Sequence, residues 1–341
     1  MNNYLHATKT LFRNEDLGAE LAEAVMEEIM TGQLNDVQIA SFLSALATKK
    51  ETASEFLGMA KVLRRHASSV SAEGDLFDTC GTGGSGLDTP NTSTLSALVV
   101  ATAGVKVAKH GNRSSSGRCG SADVLEKAGV NISLGKVEVE QLLLTQNFVF
   151  MLAPLFHPAM KFAGPVRKQM GVRTSFNFLG PLANPANVSR QVLGVSDLAR
   201  APLIAEALAG LGLTRALVVH GLDGLDEITT TCPTAAWLVQ DGHVESFEFN
   251  PDDLGIRRAA HAEITGGDTQ MNLEIFEQTL RGTVSTAICD LVSINAGAAL
   301  WIADIADSIA NGYKLAVEIV RSGKLQDTLS SYKDLSNELS S

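Results

Sequence analysis

Four stretches of this 341-residue chain gather side chains able to handle an anion, a metal ion or a carboxylate. The first is Cys80-Gly81-Thr82-Gly83-Gly84-Ser85-Gly86, followed by Asn91-Thr92-Ser93-Thr94. Its glycines let the backbone turn sharply and present N–H groups to an anion. A helix opening at the polar cluster would add positive potential. The stretch lacks the Gly-Lys-Ser/Thr of a Walker loop and is not a clean GxGxxG. A flexible turn with a helix cap is the plainer account. The second stretch runs from Lys109-His110-Gly111-Asn112-Arg113 through Ser114, Ser115, Ser116, Gly117 and Arg118 to Ser121. Its cations and hydroxyls could cradle a polyanion, or form a solvated basic loop.

The third stretch holds the adjacent acids Asp226 and Glu227 in Gly221-Leu222-Asp223-Gly224-Leu225-Asp226-Glu227, expected at a sheet edge. Paired hard oxygens suit Mg²⁺ shared with substrate phosphates, although an exposed acidic turn is the commoner use of such a pair. The fourth runs from His157-Pro158 through Gly164-Pro165-Val166-Arg167 to Arg173. Arg167, on a helix started by Pro165, could grip a carboxylate bidentately or simply face solvent. His157 reads as a turn residue, because no nucleophile elbow accompanies it. Cys80 and Cys119 read as packing residues.

Alternating strands and helices must position these stretches. The first 70 residues read as helices only. Leu17, Leu21, Val25 and Ile29 recur at helical spacing before Gly32, and Val37, Ala40, Leu43 and Ala47 repeat the pattern. Thr52 and Glu55 form a capping box. Strands are expected at 76–79, 105–108, 148–152 and 217–219, with helices over 91–103 and 121–127. That alternation predicts an α/β fold with a mostly parallel central sheet flanked by helices. Loops at the carboxyl ends of such strands are the default ligand site. Five of the nine prolines lie between Pro154 and Pro185. Around them a helix over 159–170 is expected to leave the sheet and join the N-terminal helices. The domain division is therefore 1–72, joined by about 155–187, against 73–154 with 188–341.

Lys plus Arg is 27 and Asp plus Glu is 38, giving a net charge of −11. The field has the wrong sign for non-specific binding of nucleic acid or anionic membrane. No apolar run approaches membrane-spanning length, and the first residues lack the apolar block of a signal peptide. The four scattered cysteines form no CxxC pair. A cytoplasmic protein is expected.

Taken together, GTGG…NTST, VAKHGNRS…GSADVLEKAGV, HPAMKFAGPVRKQMGVRTSFNFLGPLANPA and VVHGLDGLDEIT resemble the anthranilate phosphoribosyltransferase family of tryptophan biosynthesis, in order and over most of the chain. The resemblance implies a small helical domain on a larger α/β domain, a homodimer, and Mg²⁺-dependent transfer from 5-phosphoribosyl 1-pyrophosphate to anthranilate. Gly81, Gly84, Ser85, Thr89, Asn91, Thr92, Ser93 and Thr94 would border the phosphoribosyl donor. Lys109, Asn112, Arg113, Ser114, Ser115, Ser116, Gly117 and Ser121 would hold its phosphates. Gly81, Asn112 and Arg167 would face anthranilate, and Ser93, Asp226 and Glu227 would ligate Mg²⁺. Lys109, His110 and Arg167 would stand at the reacting centre. The family usually carries Asp where Ser85 stands and Ser where Gly117 stands. A pyrimidine nucleoside phosphorylase of related fold, or a non-enzymatic nucleic-acid-binding relative, are the alternatives. The Asn112–Arg167 pair and the two acids speak against the first, and the charge against the second.

Overall fold

The computed structural model describes residues 2–114 and 118–339. Ser115, Ser116 and Gly117 therefore lie outside the described residues. The chain starts with α1 (Asn3–Phe12), α2 (Gly18–Met30), α3 (Asp36–Lys49) and α4 (Ala53–Arg65). The capping box at α4 forms: Thr52 Oγ1 accepts from Glu55 N at 3.3 Å, and the Glu55 carboxylate accepts from Thr52 N at 2.8 Å. That buried carboxylate also accepts from Leu17 N and from Lys49 Nζ, so one side chain ties α2, α3 and α4 together. The apolar stripe of α3 differs from expectation. Val37 is 78% exposed, and Ile39, Phe42, Leu43 and Leu46 fill the core. The Asn35 cap fixes the start of α3, which turns Val37 outward.

A seven-stranded sheet follows: β1 (Phe77–Gly81), β2 (Val107–Gly111), β3 (Phe148–Leu152), β4 (Arg190–Gly194), β5 (Arg215–Gly221), β6 (Thr234–Gln240) and β7 (His243–Phe249), in the order β3-β2-β1-β4-β5-β6-β7. The first five strands in that order pair in parallel, and β5–β6 and β6–β7 are antiparallel. Asp241 and Gly242, both at positive φ, close the last hairpin. Sequence reading places β1 and β2 slightly early, because strand pairing, not composition, sets their ends at Gly81 and Gly111. Flanking helices are α5 (Thr92–Thr102), α6 (Ser121–Lys127), α7 (Lys136–Leu142), α8 (Ala153–Phe156), α9 (Gly164–Met170), α10 (Phe176–Leu179), α11 (Ala201–Gly210), α12 (His261–Ile264), α13 (Thr269–Leu280), α14 (Thr286–Ile302), α15 (Ile309–Arg321) and α16 (Leu325–Glu338).

The single helix expected over 159–170 is broken. A 3₁₀ turn, Pro158–Lys161, precedes α9, and Pro165 sits in the first turn of α9, where its missing N–H leaves no bond unmade. Ala163, Val166, Phe176, Phe178 and Leu182 from this region share one core with α1–α4, α11 and one face of the sheet. The opposite face, carrying Val192, Leu217 and Val219, packs with α5, α14 and α16 in a second core. Among the described residues no helix is long and apolar enough to cross a membrane.

Candidate active site

β1, β2 and β5 run parallel, so the loops after Gly81, Gly111 and Gly221 gather at the carboxyl ends of the strands. Two cavities meet there. The smaller, about 300 Å³, is walled by the glycine loop, the Lys109–Ser114 loop, and Asp226 with Glu227. The larger, about 560 Å³, lies toward the helical core and is lined by Arg167, Phe176, His110 and His157. Cys80, Gly81, Thr82, His110, Gly111 and Asn112 belong to both. A ligand in one cavity can thus meet a ligand in the other along the ends of β1 and β2.

Sequence-expected residues sort between the cavities. Gly81, Gly84, Ser85, Thr89, Asn91, Ser93, Thr94, Lys109, Asn112, Arg113, Ser114 and Ser121 all line the smaller one. Thr92 does not; it is fully buried as the first residue of α5, with its hydroxyl turned to Glu227. Arg113 lines the cavity, yet its guanidinium is fastened to Glu126 at 2.7 and 2.8 Å, which anchors the loop to α6. Asn91 takes a left-handed conformation, φ 57°, instead of capping α5, and its amide donates to the Cys119 carbonyl. The trio Gly81, Asn112 and Arg167 lines the larger cavity.

The acid pair does not stand at a sheet edge, a correction to the sequence reading, because β6 continues the sheet beyond β5. Asp226 Oδ2 accepts from Gly83 N at 2.7 Å and so clamps the glycine loop. A Cβ on Gly81 would collide with that oxygen, and one on Gly194 would overlap the Asp226 carbonyl. Only glycine lets the acid turn rest on β1 and β4. Gly194→Ala is expected to cost about 2–3 kcal/mol and to displace Asp226. An unchanged thermal midpoint would show that the turn yields freely.

Glu227 Oε1 accepts from Thr89 Oγ1 at 3.3 Å, while its buried Oε2 has no partner among the described residues. Burial, with Asp226 beside it, pushes the Glu227 carboxyl up to about 8, and burial raises Asp226 as well. Two buried carboxyls side by side would gain from a divalent cation between them. Among the described residues no three His, Cys, Asp or Glu side chains form a metal cluster. Mg²⁺ binds through one or two carboxylates plus substrate oxygens, so an orphaned carboxylate oxygen on a two-acid turn fits it. Buried Lys109 sends Nζ to the Thr79 carbonyl at 2.6 Å and to Ser93 Oγ at 3.3 Å. Burial lowers its pKa.

In the larger cavity Arg167 lies 5.0 Å from the Phe176 ring centre and forms no ion pair among the described residues. Its burial without a counter-charge lowers its pKa and suits capture of a carboxylate. The His110 and His157 rings stand 5.0 Å apart, each with a buried Nε2 lacking a partner among the described residues. Burial drives His110 to about 3 and His157 to about 4, so both are neutral at pH 7 and act as hydrogen-bonding groups. On acidification the unfolded chain takes up these protons first, near its ordinary pKa of 6.5, and folded stability falls. His157→Gln is expected to flatten the loss of thermal midpoint between about pH 6.5 and pH 4. Identical pH profiles in the two proteins would contradict this. Cys80 packs, accepting from Gln191 Nε2, and burial raises its thiol.

Three contributors escape a local reading of sequence. Asn272 of α13, 1% exposed, donates to the Thr89 carbonyl and Asn91 Oδ1 and accepts from Gly267 N, closing one side of the smaller cavity. Gly266 N donates to the Asp88 carbonyl at 2.7 Å. Arg173 reaches the glycine loop from behind.

Residues 5–67 match the helical bundle domain of the glycosyl transferase family, and residues 73–326 match its a/b domain. Fold and cleft together define a glycosyl transferase of this two-part kind. The anthranilate phosphoribosyltransferase of Chloroflexus aggregans is 45% identical over 328 residues, 96% of each chain. The chain belongs to the anthranilate phosphoribosyltransferase family. The Thermus thermophilus enzyme superposes with a TM-score of 0.90 at 38% identity, covering 97% of this chain and 99% of that one. The Saccharomyces cerevisiae enzyme, in complex with PRPP and Mg, gives 0.89 at 28% identity over 98% of both chains.

Proposed function

We propose that the chain transfers the phosphoribosyl group of 5-phosphoribosyl 1-pyrophosphate to anthranilate, releasing pyrophosphate, with Mg²⁺ held by Asp226, Glu227 and Ser93. The observation that carries this reading is the junction of the two cavities. Two adjacent acids with buried carboxyls stand on one side and Arg167 on the other, with Gly81 and Asn112 among the residues between.

The smaller cavity takes the donor. Gly84, Ser85, Asn91, Ser93, Thr94 and the Lys109–Ser114 loop surround its phosphates. Ser121, at the start of α6, lines the same cavity. Bound Mg²⁺ would share the charge of the leaving pyrophosphate. Lys109 supports Ser93 from below, and its cation favours ionised Glu227. The larger cavity takes anthranilate, with Arg167 on its carboxylate. Neutral His110 and Asn112 orient the aromatic amine toward the sugar carbon. That amine is uncharged at pH 7, so the site works by positioning and charge stabilisation and needs no strong base.

The reading extends to assembly and setting. Residues 1–72 with about 155–187 form the helical part, packed on 73–154 and 188–341. Exposed Phe12 and Val37 offer an apolar face for a second copy. All four cysteines are free, as suits the cytoplasm. Anthranilate fluorescence tests the activity. It should fall only when the donor and Mg²⁺ are both present, and pyrimidine nucleosides should give no phosphorolysis. Unchanged fluorescence with both present refutes the reading.

A further inference from the structure

The glycine loop has two faces, and the cleft occupies one of them. Behind it lies a separate hollow of about 370 Å³ lined by the loop, Arg118, Asn177 and Arg173. Arg173 does not line the donor cavity. Its guanidinium donates to the Gly84 carbonyl at 2.9 Å, and to the Gly83 carbonyl at 3.1 Å and Ser196 Oγ at 3.2 Å. Ser196 Oγ also donates to the Gly83 carbonyl at 2.8 Å. On the same residue, Gly83 N donates to Asp226. Two successive carbonyls are therefore drawn to the rear of the loop, and Gly83 is held by both its polar groups.

Peptide planarity couples the two faces of the loop. The carbonyl of one residue and the N–H of the next point in opposite directions across a trans peptide. Carbonyls of Gly83 and Gly84 turned to Arg173 leave the N–H groups of Gly84 and Ser85 turned away from it, and neither finds an acceptor among the described residues. Gly83 and Gly84 both have positive φ, 66° and 78°, a backbone that glycine adopts without steric cost. Arg173 forms no ion pair among the described residues; its donors go to these carbonyls and Ser196, and its charge also favours ionised Asp226. It is also tied to the helical core. Its guanidinium lies 5.0 Å from the Phe178 ring centre, as does that of Arg200, and Arg200 is paired with buried Glu51. Phe178 itself packs edge-on to Phe56 of α4.

We propose that Arg173 is a positioning residue for the donor's pyrophosphate: by fixing two carbonyls from behind, it aims the Gly84 and Ser85 N–H groups at the anion. It never touches the substrate. Its anchor in the helical core makes the aim of the loop depend on how the two parts of the molecule are set. The inference rests on the donor-binding role proposed above.

Inorganic pyrophosphate with Mg²⁺, titrated calorimetrically into the full chain, separates the two ideas. Wild type should bind, and Arg173→Gln should bind about tenfold more weakly, the scale of a lost charge-assisted contact. Arg173→Lys should recover only part, because one ammonium cannot copy the fork that spans both carbonyls. Anthranilate KM and the thermal midpoint should stay near wild type in both variants. Pyrophosphate affinity within twofold of wild type overturns the role of Arg173 and leaves the donor site standing. Parallel losses in both substrates with a collapsed midpoint would make Arg173 a fold residue and also overturn it. If Arg173→Gln does not fold, Arg173→Lys carries the same comparison. No binding by wild type refutes the donor site itself, and the proposal with it.

Discussion

Asp226→Asn combined with Glu227→Gln is expected to give a folded protein whose transfer rate falls about a thousandfold, the scale of losing shared charge on a leaving group. Asparagine keeps an oxygen that can still accept from Gly83 N, so the glycine loop should survive the exchange. The charge does not survive. Stability should move the opposite way to activity. Both carboxyls titrate above their ordinary values because burial opposes their charge. Between about pH 4.5 and pH 8 the folded chain holds a proton at Glu227 that the unfolded chain has lost, so wild-type stability declines as pH rises through that window. The neutral variant lacks that slope, and its thermal midpoint should exceed wild type more at pH 8 than at pH 5. Steady-state rates, a Mg²⁺ titration and melts at both pH values measure all of this. Near-normal rates in the folded variant would move the metal elsewhere.

Arg167→Ala should raise anthranilate KM about 10- to 100-fold while pyrophosphate affinity stays within about twofold, since a charged hydrogen bond contributes about 1.5–3 kcal/mol. The half-buried guanidinium rests on Phe176 and has no counter-charge among the described residues. Removing it relieves a desolvated cation, so the melt should hold or rise. Calorimetry with each ligand gives the comparison. Equal losses for both ligands would recast Arg167 as a phosphate or fold residue.

The parts of the site that are contiguous in sequence are the parts legible there. Gly81 to Gly86, Lys109 to Ser114 and Asp226-Glu227 each follow a strand, and a parallel sheet gathers such loops without further information. Asn272 is different. It meets Thr89 and Asn91 across more than 180 residues, and nothing local distinguishes an asparagine that turns inward. Arg173 is visible as a charged residue in a diagnostic stretch, but its carbonyl partners lie in another loop. Thr92 is subtler: the helix turn carries it inward, out of the cavity wall, and leaves its hydroxyl against Glu227. The strands β6 and β7 do leave a signal. Asp241-Gly242 between two alternating runs is a strong hairpin mark. Val37 shows the limit of periodicity: Leu43 fits both the expected stripe and the observed one, and spacing alone does not choose between them.

The open sheet has two free margins, and they are treated differently. β3 is covered: Tyr332 of α16 lies edge-on to Phe148, and its hydroxyl accepts from Phe150 N at 2.9 Å. β7 is left bare, mostly exposed, and carries His243, Glu245 and Glu248. A bare margin is a template on which another chain can grow as a strand. Two copies aligning their β7 strands would bring Glu245 and Glu248 against like charge on a chain already at −11. The acids on this hairpin thus guard the protein against fibre growth at high concentration, and neutralising them is the change most apt to turn a well-behaved enzyme into an aggregating one.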